Sequence, residues 1–448
     1  METIIRYSDL YRRNLNMAGP VILSQIGQIT VSLADTMMVG HAGTADLAAA
    51  SFSNSIFHVG MLFGFGICMG ITPLAGRMYS QQRIGEAGSY LKNGIIVNSM
   101  AALALTAVMT AVAFFLDQMG QPPEVARKSF PYFLILVASL PPLLLFYSFK
   151  QFFEGIGNTR IAMGITLTAN AVNIFLNYLL IYGKLGFPEM GLTGAGIATL
   201  ISRLLMPLML IPVILRNHKY RPLLLLARHA RVNAERMKEL LRVGIPIGFQ
   251  MIVEVLTFSL GAIMMGWHGK ESLAAHQVAL GLATFSYMIS LGVGAGTTIH
   301  VSHEFGRANY ALLRKTILAS VHLVLLFMSC AGLVFILLRQ QLPYLFTTDV
   351  PVIRIASELL IIAALFQVFD GLQVILLSAL RGLADVKIPM LMAFLSYTVT
   401  GLPVSYFCSF VFGLGPAGIW LGYLAGLACA SALFAFRIKK WLKVQGPV

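Results

Sequence analysis

Long apolar runs separated by short polar breaks make up nearly the whole chain, and twelve of the runs reach the roughly 20 residues a helix needs to cross a bilayer. They lie near 15–40, 50–77, 93–116, 130–153, 161–183, 192–214, 240–266, 274–300, 316–338, 353–380, 388–412 and 415–437. Inside the runs, polar side chains recur at spacings of three and four, which places them on one helix face. The first run carries Ser24, Gln28, Ser32 and Asp35 in this way, and the fifth Thr166, Asn170, Asn173 and Asn177. The seventh has Gln250, Glu254, Thr257 and Gly261, and in the tenth Asp370 lies between Gln367 and Gln373. The pattern predicts an all-α integral membrane protein of twelve helices with a polar interior.

Composition removes the soluble alternatives. Hydrophobic residues make up 57% of the 448 and charged residues 11%, with a mean hydropathy of +0.79, far from the averages of a soluble domain. The start of the chain, with Arg6, Arg12 and Arg13 ahead of an apolar stretch, resembles a signal peptide. That stretch is too long, contains Gln25, Gln28 and Asp35, and lacks a small-residue cleavage pattern, so it reads as helix 1. Cys68, Cys330, Cys408 and Cys429 are isolated within apolar runs, as small buried hydrophobes are.

The net charge of +14 would suit nucleic acid, but its distribution points to a membrane instead. Of the 32 Lys and Arg, Arg127, Lys128, Lys184, Lys270, Arg339 and Arg354 fall in the odd-numbered loops and Arg203 inside a run. The other 25 fall in the tails and even-numbered loops. This is the positive-inside asymmetry, which predicts cytoplasmic termini for a multi-pass protein of the inner membrane. Its basic residues then meet lipid headgroups, and no nucleic-acid partner is expected.

Sliding the chain against itself by 226 residues aligns the two halves without a gap near their starts. Pro20 falls on Pro246, Gly40 on Gly266, Gly43 on Gly269, Gly66 and Gly70 on Gly292 and Gly296, and Thr72 on Thr298. The expected organisation is an N-terminal six-helix lobe (1–214), a basic cytoplasmic linker (215–239) and a C-terminal six-helix lobe (240–448). The linker holds Arg216, Lys219, Arg221, Arg228, Arg231, Arg236 and Lys238 and reads as a tether touching anionic lipid. An even number of spans keeps both copies in one orientation, the parallel-repeat plan of transporters that rock two halves about a central site.

Asp35, Glu254 and Asp370 are the chemistry. A charge at mid-bilayer costs roughly 3 kcal/mol even on lenient scales, so such a residue faces a bundle interior or a wet cavity. The Ser, Thr, Asn and Gln of the stripes also serve simply to join helices by hydrogen bonds. The acids do not repeat between halves, since Asp35 falls on Gly261 and Glu254 on Gln28, so the two halves carry different ionic tasks.

These residues resemble the multidrug and toxic compound extrusion (MATE) family, in its NorM-type branch, along essentially the whole chain. The likeness is carried by Pro20 with Gln25 and Gln28, the segment Ala34 to Gly40, Leu47-Ala48-Ala49, and Glu154-Gly155-Ile156-Gly157-Asn158-Thr159-Arg160. Asn173 with Asn177, Gly194 to Thr199, Ala274-Ala275-His276-Gln277 and Ala379-Leu380-Arg381-Gly382 complete it. The resemblance implies a MATE-like fold, no enzyme activity, and export of bulky lipophilic, often cationic drugs or toxic organic cations in exchange for sodium ions or protons. It carries over Asp35, Asn173, Asn177 and Thr199 as an N-lobe cation network and Glu254, Asp370 and Tyr287 as the C-lobe counterpart, with Glu254 and Asp370 as sodium ligands. For the drug it implies Asp35, Gln28, Glu254 and Asp370, to which Phe366 and Phe369 are added as neighbours of Asp370. Helix 5 lacks the second N-lobe acid that archaeal members have. No cofactor beyond the coupling ion is expected, and the working unit expected is a monomer among membrane lipids.

A flippase for lipid-linked oligosaccharides of the same superfamily is the alternative. It would line its cavity with Arg and Lys, whereas the runs contain only Arg203. A membrane prenyl transferase would need a metal-binding acidic cluster, which the scattered acids do not form.

Overall fold

A bilayer offers no water to a backbone amide, so each apolar run has to close its hydrogen bonds within itself as a helix. The computed structural model describes residues 6–216 and 220–445, and among these, twelve helices are long and apolar enough to cross a membrane. They are α1 (Tyr7–Ala42), α2 (Thr44–Ser80), α3 (Ile84–Ala113), α4 (Pro123–Gly155), α5 (Arg160–Tyr182) and α6 (Gly191–Arg216), then α7 (Ala234–Trp267), α8 (Lys270–Gly306), α9 (Tyr310–Leu337), α10 (Val350–Gly382), α11 (Lys387–Val411) and α12 (Pro416–Lys443). The expected all-α, twelve-span architecture is what the chain adopts.

Several spans are interrupted, each for a local reason. Pro141 and Pro142 lack amide hydrogens and cannot continue the ladder behind them, so α4 is built from Pro123–Ala138 and Leu140–Gly155 with a break at Ser139. The Ser139 hydroxyl donates to the Leu136 carbonyl at 2.6 Å and satisfies one of the orphaned acceptors. In α11 two π-helical stretches, Leu395–Gly401 and Phe407–Val411, widen the turn.

By its contacts the chain divides into two compact units, one of Leu23–Gly248 and one combining the chain up to Ile22 with the chain from Phe249. The divisions therefore fall inside α1 and α7, a few residues after Pro20 and Pro246 and 226 residues apart, rather than in the linker alone. Repeated glycines receive the exchanged helix halves. A methyl on Gly66 would lie 2.2 Å from the Gly248 Cα, and one on Gly70 would lie 2.9 Å from the Leu240 carbonyl, so α2 meets the first half of α7 backbone to backbone. In the other unit a methyl on Gly292 would lie 2.2 Å from Ile22, and one on Gly296 would lie 2.7 Å from Asn14, on the first half of α1. Asn14 there donates to Ser320 at 2.8 Å and Thr297 at 3.3 Å. Small residues four apart permit this approach where lipid leaves van der Waals contact as the main attraction.

A second device repeats in the same way. Thr72 donates its hydroxyl to the Gln151 carbonyl at 2.9 Å, and Thr298 donates to the Ser378 carbonyl at the same distance. Gly155 and Gly382 make the close approach possible, since a methyl on either would fall within 3 Å of the threonine carbonyl.

The linker is more than a tether. Its helix Arg221–His229 is pinned to α3 by Lys92, which donates to the Arg228 and Ala230 carbonyls at 2.9 and 2.7 Å. Arg236 pairs with Glu86 at 3.1 Å. Lys219 lies outside the described residues.

Arg203 is not the sole cation within the spans. Lys150 sits in α4, 7% exposed, 3.9 Å from the equally buried Glu154 and 4.6 Å from the centre of the Tyr147 ring, and Arg381 forms the last turn of α10. Both lie near the ends of apolar runs, where a hydropathy reading assigns them to loops. Breaking a buried pair by removing one partner leaves an uncompensated charge. Lys150→Met is accordingly expected to cost about 3 kcal/mol, and Lys150→Met with Glu154→Gln to recover most of it, measured as thermal unfolding of the detergent-solubilised protein.

Candidate functional site

In the unit Leu23–Gly248, α1, α2, α4, α5 and α6 enclose a cavity of about 340 Å³, lined by Asp35, Gln28, Asn170, Asn173, Thr199 and Arg203 among others. The four residues expected as a network form one hydrogen-bonded chain. Asn177 donates to Asp35 and, at 3.2 Å, to Asn173, which donates to Thr199 at 3.4 Å. Asn173 and Asn177 are one turn apart on α5, so a single helix face aims both side chains at α1 and α6. Asn177 is fully buried and its side-chain oxygen has no partner, which leaves an acceptor beside the Asp35 carboxylate. Gln28 donates to the Tyr147 hydroxyl at 3.4 Å, and the Tyr147 ring stacks on Phe65 at 3.8 Å.

The other unit assembles Glu254 from α7, Tyr287 from α8, Asp370 and Arg381 from α10, and Tyr397 from the π-helical part of α11. Asp370 is 4% exposed and lies within electrostatic range of Glu254. Tyr287 approaches Glu254 at 3.5 Å, the limit of a hydrogen bond. Arg381 donates to Gln250, one turn below Glu254, at 2.8 Å and acts on Glu254 electrostatically. Tyr397 donates to Gln373 at 2.8 Å. Buried groups are normally hydrogen-bonded, yet Gln367 has neither amide atom partnered, and the Gln250 amide nitrogen and Ser290 hydroxyl are also unpaired. These spare donors and acceptors are a polar interior with capacity for a guest.

The two phenylalanines expected to line a vestibule sit differently. Phe366 is 3% exposed and packs edge-on to Trp420, with ring centres 5.3 Å apart, in the apolar core of this unit. Phe369 packs against the same core, and its carbonyl accepts from Ser431 at 3.2 Å. Phe366 thus offers no open surface to a drug, because its place on α10 faces α12 rather than the polar groups. Arg381 and Tyr397 carried no functional expectation. Arg381 was visible only as part of a motif, and Tyr397 not at all, since aromatic residues are common throughout these spans.

Among the described residues no group of three or more His, Cys, Asp or Glu could hold a metal ion. A cation here would meet one or two carboxylates and neutral oxygens. The MatE family model matches residues 20–179 and again 246–407, two matches beginning 226 residues apart. The chain belongs to the MatE family. Relatives named as probable multidrug resistance protein NorM include one from Mesorhizobium japonicum, 31% identical over 439 residues, covering 96% of this chain and 93% of its own. Another, from Rhodopseudomonas palustris, is 32% identical over 428 residues, covering 95% and 90%. Among solved structures, a Vibrio cholerae MATE transporter in a bent form superposes with a TM-score of 0.87 at 18% identity. A eukaryotic MATE transporter gives 0.86 at 20%, and each comparison covers 98% of both chains. The fold of this MatE chain is therefore that of these transporters.

Proposed function

We propose that the protein is a multidrug efflux antiporter of the inner membrane, with both termini cytoplasmic, that exports bulky lipophilic, often cationic compounds in exchange for sodium ions or protons. Burial of Asp370 beside Glu254 carries the coupling part of this reading, and relatives named multidrug resistance protein along nearly the whole chain support the drug-export part. Two carboxylates in low dielectric repel each other and are poorly solvated, so the pair gains when a proton, a sodium ion or a drug cation neutralises one of them. The three compete for the same negative charge. An incoming ion that takes the pair releases the drug outward, and loss of that ion toward the cytoplasm frees the pair for the next drug.

In the other unit, Asp35 with the Asn177, Asn173 and Thr199 chain is a second cation site, and Gln28 stands on the wall of the same cavity as a drug contact. The working unit is a monomer, since each unit contains its own polar site. The coupling ion is tested in proteoliposomes loaded with a dye, under an imposed sodium gradient at fixed pH and, separately, a pH gradient without sodium. Export that follows one gradient and not the other identifies the ion; export indifferent to both would refute antiport.

A further inference from the structure

The cavity in the unit Leu23–Gly248 has two poles. Asp35 lies on its wall from α1 and Arg203 from α6, and each senses the other's charge. They are not paired with one another. Asp35 is held by Asn177, and Arg203 donates to the Ser139 hydroxyl at 2.7 Å, with Met61 sulfur at 4.0 Å and the Phe57 ring centre 5.1 Å away. The Ser139 anchor exists because α4 breaks there, and it is oriented by its own bond to Leu136. A guanidinium carries five donors in a planar fork, so these contacts leave donors for the cavity. The space, about 340 Å³, amounts to the share of roughly ten waters.

A guanidinium inside a span is costly, and one needed only to offset Asp35 would do so best in direct contact. Both poles are instead fixed by other partners with open volume beside them, so little ordering remains to be done on binding. A simple monocation drawn to Asp35 is opposed by Arg203. A compound carrying both an ammonium and a carboxylate satisfies each pole, and a guanidinium is the group best matched to a carboxylate.

We propose that Arg203 is a specificity-determining residue that makes this cavity a receptor for amphoteric compounds, its guanidinium taking their carboxylate while Asp35 takes their amine. The proposal rests on the export reading for its biological setting, but its test does not. Equilibrium binding to purified protein is measured for an aryl-piperazine carboxylic acid and for its methyl ester, which lacks the anionic group. The wild type is expected to bind the acid more tightly. Arg203→Gln is expected to lower the acid-to-ester affinity ratio about tenfold or more, the loss of a charged hydrogen bond, whereas Arg203→Lys keeps the charge and retains much of the ratio. If Arg203→Gln does not yield a monodisperse protein, Ser139→Ala, which removes the anchor and leaves the charge, is expected to lower the same ratio by a smaller factor. An unchanged ratio in whichever of these variants folds overturns the proposal, as does equal weakening for acid and ester. Export assays with the same compounds separate the two readings: a wild type that binds the acid selectively but exports neither compound refutes efflux and leaves the assignment of Arg203 standing.

Discussion

Asp370→Asn, and separately Glu254→Gln, should reduce the initial rate of ethidium efflux at least tenfold in cells expressing equal amounts of folded protein. Two unit charges 4 Å apart at an effective dielectric constant near 20 interact by about 4 kcal/mol. Even with half of that offset by desolvation, an amide in place of the carboxylate forfeits more than an order of magnitude in affinity for a monovalent cation. The neutral replacements are nearly isosteric, so packing around the 4%-exposed Asp370 is preserved and the loss is one of charge. Asp370 and Glu254 share an electrostatic environment with Arg381, so their effects should not add: the double variant is expected to be little worse than the more affected single one. Wild-type efflux from both single variants would remove the C-lobe acids from the mechanism.

Gly66→Ala is the second large effect, and it acts on stability first. The added methyl would stand 2.2 Å from the Gly248 Cα, a backbone atom that no rotamer change can move. Overpacking of this kind costs about 1–3 kcal/mol, and the first half of α7 would have to back away from α2. The expected reading is a fall of several degrees in the melting midpoint of the solubilised protein, together with lost transport. Gly292→Ala, its repeat counterpart, meets Ile22 side-chain atoms first but also the Ala18 carbonyl at 3.0 Å, so its cost should be similar or somewhat smaller. Gly164→Ala is the control, because nothing lies within 4 Å of its added methyl, and a helix-interior Ala gains up to about 1 kcal/mol over Gly. Equal melting midpoints for Gly66→Ala and Gly164→Ala would refute the close approach of α2 and α7.

The same glycines show how far a sequence reading reaches. Their recurrence at a 226-residue interval was legible in the letters alone, and so was the recurrence of Pro20 at Pro246. Their purpose was not: the glycines receive helix halves that belong to the opposite half of the sequence, and no spacing rule reports that exchange. Lys150 and Arg381 were misplaced for a related reason. A hydropathy window assigns a charged residue near the end of a run to the loop, whereas a helix that continues for one more turn carries it inside.

The chain by itself determined the number of spans, the parallel repeat, the isolation of Asp35, Glu254 and Asp370 in apolar surroundings, and the faces on which their polar neighbours lie. These follow from local physics, the thickness of a bilayer, the helical period and the cost of a buried charge, each acting within about 20 residues. Only the tertiary structure decided which faces meet. It set Arg203 across a cavity from Asp35 by way of a proline-broken α4, brought Arg381 to Gln250 and Tyr397 to Gln373, and turned Phe366 into the core. Those pairings join residues 24 to 168 positions apart, and they depend on the packing of whole helices, a property that no single stretch of the chain contains.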